Sequence, residues 1–227
     1  MHYNVELITK LSVMMVITSV LAAESRNLRY SAISYAIQAL LLCSLFAAFA
    51  AGSSTAGHPS SLWWWVVVAL ITKAILTPHF LWQYINRTGQ TEGKAIIGFG
   101  PSVVIAGLLI AIFYKLTHSN VALLSPTPDT MLEPFRTNLA VAFTIFALGL
   151  YTILSRRDAI KMVVGLCLLE NAVHLSLVSL APGLRETALV GIATEVVVTI
   201  YLLLYIIGGI RERFGSTDTF QLSELHW

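Results

Sequence analysis

Apolar residues in this chain come in long blocks separated by short polar connections, at about 5–23, 31–51, 62–84, 97–116, 138–155, 159–181 and 187–209. A hydrocarbon core of about 30 Å is crossed by roughly 20 helical residues. Inside lipid every backbone amide and carbonyl must be paired within the protein. Strands could meet that demand only as a closed barrel, whose alternating pattern is absent. The pattern therefore predicts an all-α, polytopic membrane helix bundle of about seven transmembrane helices. The last three blocks are joined by only a few residues and are expected to be antiparallel neighbours. The longest connection, 117–137, holds Pro126, Pro128 and Pro134. It divides a four-helix N-terminal module (1–116) from a three-helix module (138–210), which a tail (211–227) follows. The connection reads as either a lid or a joint, and nothing in it suggests chemistry.

Charge sets the orientation. Only 11% of residues are charged and 56% are hydrophobic, against about 25% charged in soluble domains. With the N-terminus outside, nine cations fall on the cytoplasmic side: Arg26, Arg29, Arg87, Lys94, Arg156, Arg157, Lys161, Arg211 and Arg213. Three (Lys115, Arg136 and Arg185) fall opposite. The positive-inside rule then gives N-out and C-in. Trp63, Trp64 and Trp65 stand at the outer end of the third block, and Trp82 and Tyr84 at its inner end, as interfacial anchors do. The N-terminus lacks a basic leader region, so the first block is read as a retained helix. A net charge of +2 with no basic run offers nothing to nucleic acid.

A charge at the bilayer centre costs about 2.5–3.5 kcal/mol on insertion scales, so polar residues inside the blocks are the candidates for function. Lys73 lies in the third block, Glu170, Asn171 and His174 in the sixth, and Glu195 and Thr199 in the seventh. Counted from the cytoplasmic ends, Lys73, Glu170 and Glu195 fall within roughly 5 Å of one height. Glu170 and His174 share a helix face. These four, Lys73, Glu170, His174 and Glu195, form a candidate proton pathway at mid-membrane depth. Gln38, Asn171 and Thr199 read as packing groups between helices. The bland alternative is an ion pair that only fastens helices. Against it, polar contacts between membrane helices return only about 0.6–2 kcal/mol. Glu6 and Lys10 lie near an interface and can snorkel, and Pro78 with His79 reads as a kink.

No residue pattern indicates a catalytic centre, a nucleotide loop, a metal site or a cofactor in this chain. Cys43 and Cys167 are too few for a disulfide framework or a zinc site and read as apolar packing. His79 and His174 differ in height by about 14 Å, too far to share one haem.

The stretch Ile145-Phe146-Ala147-Leu148-Gly149-Leu150-Tyr151-Thr152-Ile153-Leu154-Ser155-Arg156-Arg157-Asp158 resembles the first helix and basic turn of the small three-helix membrane subunit of complex I. Gly165-Leu166-Cys167-Leu168-Leu169-Glu170-Asn171-Ala172 resembles its second helix, and the helix holding Glu195 its third. In that subunit a glutamate follows the Gly-Leu pair, where this chain has Cys167. Here the carboxylate comes three residues later, at Glu170. The Leu-Glu-Asn form, the four preceding helices and Lys73 are similar to component E of hydrogenase-4, from complex-I-like group 4 hydrogenases. The resemblance implies a non-redox subunit of the prokaryotic cytoplasmic (inner) membrane, packed against antiporter-like and other membrane-arm subunits. It also implies nickel–iron and iron–sulfur centres in partner subunits. Two other readings are a stand-alone secondary transporter, which the lack of paired interrupted helices disfavours, and a purely structural assembly subunit.

Overall fold

The computed structural model describes residues 4–53, 62–88, 96–124, 131, 133–180 and 186–219. Lys94, Arg185, Pro126 and Pro128 lie outside the described residues. The elements are helical: α1 (Val5–Glu24), α2 (Leu28–Ser53), α3 (Leu62–Ala69), a π-helical turn (Leu70–Leu76), α4 (Thr77–Thr88), α5 (Phe99–Ser119), α6 (Val121–Leu124), α7 (Phe135–Ser155), α8 (Ala159–Leu180) and α9 (Glu186–Phe214). Among the described residues six rods are long and apolar enough to cross a membrane: α1, α2, the run Leu62–Arg87, α5, α7 and α8. The seventh, α9, has 29 residues and corresponds to the last apolar block.

Lipid tails are as apolar as leucine, so helices in a bilayer adhere through close contact and polar pairs. The closest approach is between α7 and α8. A methyl group built on Gly149 would lie 2.9 Å from the Gly165 carbonyl oxygen, and one on Gly165 would lie 3.0 Å from the Gly149 carbonyl oxygen. These two helices form the centre of the bundle; 61% of each span is buried, against 11% for α5. The two halves of the sequence share this bundle: α5 and α1 pack on α7, α2 packs on α8, and α9 packs on α3 and α4. The last three helices follow one another as neighbours, α7 on α8 and α8 on α9, with α9 also reaching the N-terminal half. α7 and α8 pair along their lengths, and α9 packs both on α8 and on the α3–α4 rod.

Local sequence explains the ends. The Asn4 side chain accepts from the Leu7 amide at 3.1 Å and caps α1. Gly215, at φ 72°, closes α9 in the left-handed conformation, its amide donating to the Arg211 carbonyl at 2.8 Å. The chain then returns to the α7–α8 turn. Thr217 Oγ1 donates to Asp158 at 3.0 Å, and the Thr219 amide donates to the Arg157 carbonyl at 3.0 Å. The start of the tail is therefore fastened to the bundle. The end of α5 and the start of α7 are tied as well, Arg136 donating twice to the His118 carbonyl at 2.9 and 2.7 Å.

Candidate functional site

Lys73 sits in the π-helical turn. Pro78 has no N–H to give to the Ala74 carbonyl, and the ladder widens just before it. The Thr77 amide reaches back to the Thr72 carbonyl, five residues earlier, and Thr77 Oγ1 donates to the same oxygen at 2.9 Å. The kink expected at Pro78 therefore takes the form of a π-turn, which carries Lys73 into the bundle.

There the ammonium, 2% exposed, meets α8. Lys73 Nζ lies 2.8 Å from Glu170 Oε1. It donates to Asn171 Oδ1 at 2.9 Å and touches His174 Nδ1 at 3.1 Å. Three residues of one α8 face thus surround one lysine, as their spacing requires. Cys167, one turn earlier on that face, lies beside the Tyr35 hydroxyl of α2 and is close to Glu170.

The contacts extend sideways through α2 to α1. Asn171 Nδ2 donates to Gln38 Oε1 at 3.1 Å, Gln38 Nε2 donates to Ser19 Oγ at 2.7 Å, and Ser19 Oγ donates to the Met15 carbonyl at 2.6 Å. Every bond in this arm runs away from Lys73. Amides do not readily exchange protons, so the arm fixes geometry: it presents the Asn171 oxygen to the ammonium and ties four helix rods together. The titratable part is Lys73, Glu170 and His174. His174 can serve two proton positions. With the proton on lysine, Nδ1 accepts from the ammonium. With the proton on Nδ1, the ring can donate to the Glu170 carbonyl, 3.0 Å away.

Glu195 is absent from this cluster. It lies exposed on α9 and is not among the partners of Lys73. Equal height did not bring it in, because its side of α9 turns away from the bundle. Thr199 is half-buried on the same helix and joins none of the bonds described here. Trp63 and Trp64 are exposed, as anchors should be. Trp65 turns inward instead and packs edge-on against Phe46 at 5.7 Å.

Two buried polar clusters had no signal in the sequence, because their residues read as loop charges. Arg156 pairs with Glu24 at 2.7 Å, and Ser102 Oγ donates to Glu24 at 2.9 Å while meeting Tyr151 at 2.7 Å. Lys161, 0% exposed, donates to the last carbonyls of α1, Ala22 at 2.7 Å and Ala23 at 3.1 Å, and to Ser31 at 3.0 Å. Both clusters fasten helix ends on what the cation bias makes the cytoplasmic side.

A buried lysine–carboxylate–histidine site set in a bundle of apolar helices defines a class of polytopic helical membrane protein. Residues 137–227, which include Glu170, match the family of NADH-ubiquinone/plastoquinone oxidoreductase chain 4L. Over nearly its whole length the chain is similar to hydrogenase-4 component E. It is 29% identical to that protein of Escherichia coli (strain K12) and of Shigella flexneri, over 96% of this chain and 97% of theirs. It is also 24% identical to an uncharacterized protein of Mycobacterium tuberculosis, over 69% of each chain. No solved structure matches.

Proposed function

We propose that this chain is a non-redox subunit in the membrane arm of a complex-I-like hydrogenase or related complex, in which Lys73, Glu170 and His174 hold and pass protons. The observation that carries this reading is the buried Lys73–Glu170 contact of 2.8 Å with His174 Nδ1 3.1 Å from the same ammonium, three titratable groups gathered at one point inside an apolar bundle. Lys73 and His174 offer the proton two sites about one hydrogen bond apart, and Glu170 supplies the charge that the proton offsets. Asn171, Gln38 and Ser19 are positioning residues. In this reading the antiporter-like subunits are the neighbours in the prokaryotic cytoplasmic membrane, and the nickel–iron and iron–sulfur centres reside in other subunits. The full-length similarity to hydrogenase-4 component E and the chain 4L match support that assignment.

Isolation in mild detergent through an affinity tag on this chain tests the assembly. Recovery with antiporter-like and hydrogenase-like subunits is expected. A lone monodisperse protein that binds a small solute would instead establish the transporter reading. Lys73→Met in the assembled complex tests the site: redox turnover should persist in part while proton transport into sealed vesicles falls by about a hundredfold or more, the range of a lost proton-transfer group.

A further inference from the structure

Glu195, close to Lys73 in depth but outside its cluster, stands exposed on α9. Among the described residues it forms no ion pair and no hydrogen bond. α9 begins at Glu186 and carries Arg211 in its last turn. Helical rise puts Glu195 about 13 Å from the first and about 24 Å from the second, beyond the reach of a snorkelling glutamate. Ile200, Leu204 and Ile207 turn inward and are buried. Glu195, Val198, Leu202 and Tyr205 lie on the opposite side at spacings of three, four and three residues, and all four are exposed.

An exposed apolar side chain on a membrane helix needs no special account, because lipid covers it. The exposed positions Val103, Val104, Leu108 and Ile112 of α5 are of that kind. A carboxylate at this depth is different. Ionisable residues within the hydrocarbon layer face protein or water and are paired. Lys73, the cation at this level, is taken by Glu170 at 2.8 Å, and the described residues offer Glu195 no such partner. Alternating spacings of three and four residues form the seam along which a second helix packs. A second copy of this chain does not suit that seam. A two-fold axis along the membrane normal would set two Glu195 carboxylates at one height, where like charges oppose each other. Charge complementarity selects a cation instead. We propose that this face of α9 receives a membrane helix of another subunit, which presents a lysine or arginine at the level of Glu195. The inference rests on reading the chain as part of an assembly and does not depend on proton movement through Lys73.

The test uses native membranes that hold the full chain in its assembly. A photoreactive phenylalanine analogue replaces Leu202 on the proposed face, and mass spectrometry locates the cross-link after illumination. The expected product joins a membrane helix of a different chain, with a lysine or arginine within about one helical turn of the height of Glu195. Glu195→Gln should lower recovery of that subunit with the tagged chain by about three- to twenty-fold, the range of a polar contact between membrane helices. Glu195→Lys should lower it further. Changing the partner's basic residue to glutamate in that background should restore recovery, a rescue that a misfolded chain would not show. Cross-links to lipid alone or to a second copy would overturn the proposal. So would a contacted helix without a basic residue at that height, or unchanged recovery in Glu195→Gln. If other subunits still co-purify in such a case, the assembly reading stands and only this face is wrong; recovery of the chain alone would remove both.

Discussion

Lys73 places a cation, 2% exposed, in an apolar bundle beside a carboxylate that is 9% exposed. Removing one partner of such a pair leaves the other uncompensated, at a cost of about 3–5 kcal/mol. Lys73→Met alone should therefore lower the thermal midpoint of the detergent-solubilised protein, and adding Glu170→Gln should recover part of the loss. Additive losses across that double-mutant cycle would mean the two residues are not coupled. At this scale the sequence was partly legible. Two charges in apolar blocks can be ranked by depth, and depth alone put Lys73 level with Glu170. The same depth argument also admitted Glu195, because height says nothing about azimuth: a residue faces the core or the surface according to how its helix leans. Ser19 and Tyr35 carry no charge, and a serine or tyrosine in an apolar block has no mark that distinguishes a network member from an ordinary packing residue. Arg156, Glu24 and Lys161 failed in the opposite way. They stand at block ends, where charges are usually solvated, and only the packing of α1 against α7 and α8 buries them.

Helices as units were read well in position and less well in packing. Block boundaries followed hydropathy, and α1, α7 and α8 begin and end within a few residues of them. The π-turn was visible only as a proline, since the proline announces a missing hydrogen bond without saying how the ladder adjusts. The α7–α8 seam rests on Gly149 and Gly165, where an added methyl group would stand 2.9 Å from the Gly165 carbonyl oxygen. Gly149→Val should force the two helices apart and destabilise the protein by about 1–3 kcal/mol, as overpacking does. Gly191, whose added methyl group would meet nothing within 4 Å, is the control and should tolerate alanine. Unfolding followed by circular dichroism in detergent compares the two, and equal midpoints would show that the close approach is not needed. The end of α1 offers a second check. Lys161→Met removes the donor to the Ala22 and Ala23 carbonyls, and the loss of a charged donor to buried carbonyls should cost about 1.5–3 kcal/mol. Faster hydrogen exchange should appear in the last turn of α1, and unchanged protection there would contradict the capping role.

At the scale of the whole molecule, the cation bias gives an orientation that helix geometry alone does not. Single cysteines replacing Arg87, in the last turn of α4, and Met131, which is 46% exposed in the α5–α7 connection, should react with an impermeant reagent from opposite faces of sealed vesicles. This requires a background without Cys43 and Cys167. Reaction of both from one face would reverse or remove the N-out, C-in arrangement. The same orientation gives Lys73 and Glu170 their depth, well away from either surface, where a charge pair is costly to keep and useful mainly if its proton moves. The site is held in place by the bundle as a whole. The most buried helices, α7 and α8, form the centre, α2 clamps the site through Gln38, and the π-turn in the α3–α4 rod delivers the lysine. The most direct measurement is the number of protons moved per electron by the assembled complex in sealed vesicles when Glu170 is replaced by glutamine, which keeps size and hydrogen bonding but cannot titrate. The account predicts an intact complex that turns over its redox substrates with a lowered proton-to-electron ratio. A ratio equal to that of the unaltered complex would contradict it and leave the Lys73–Glu170 pair a fastening between helices.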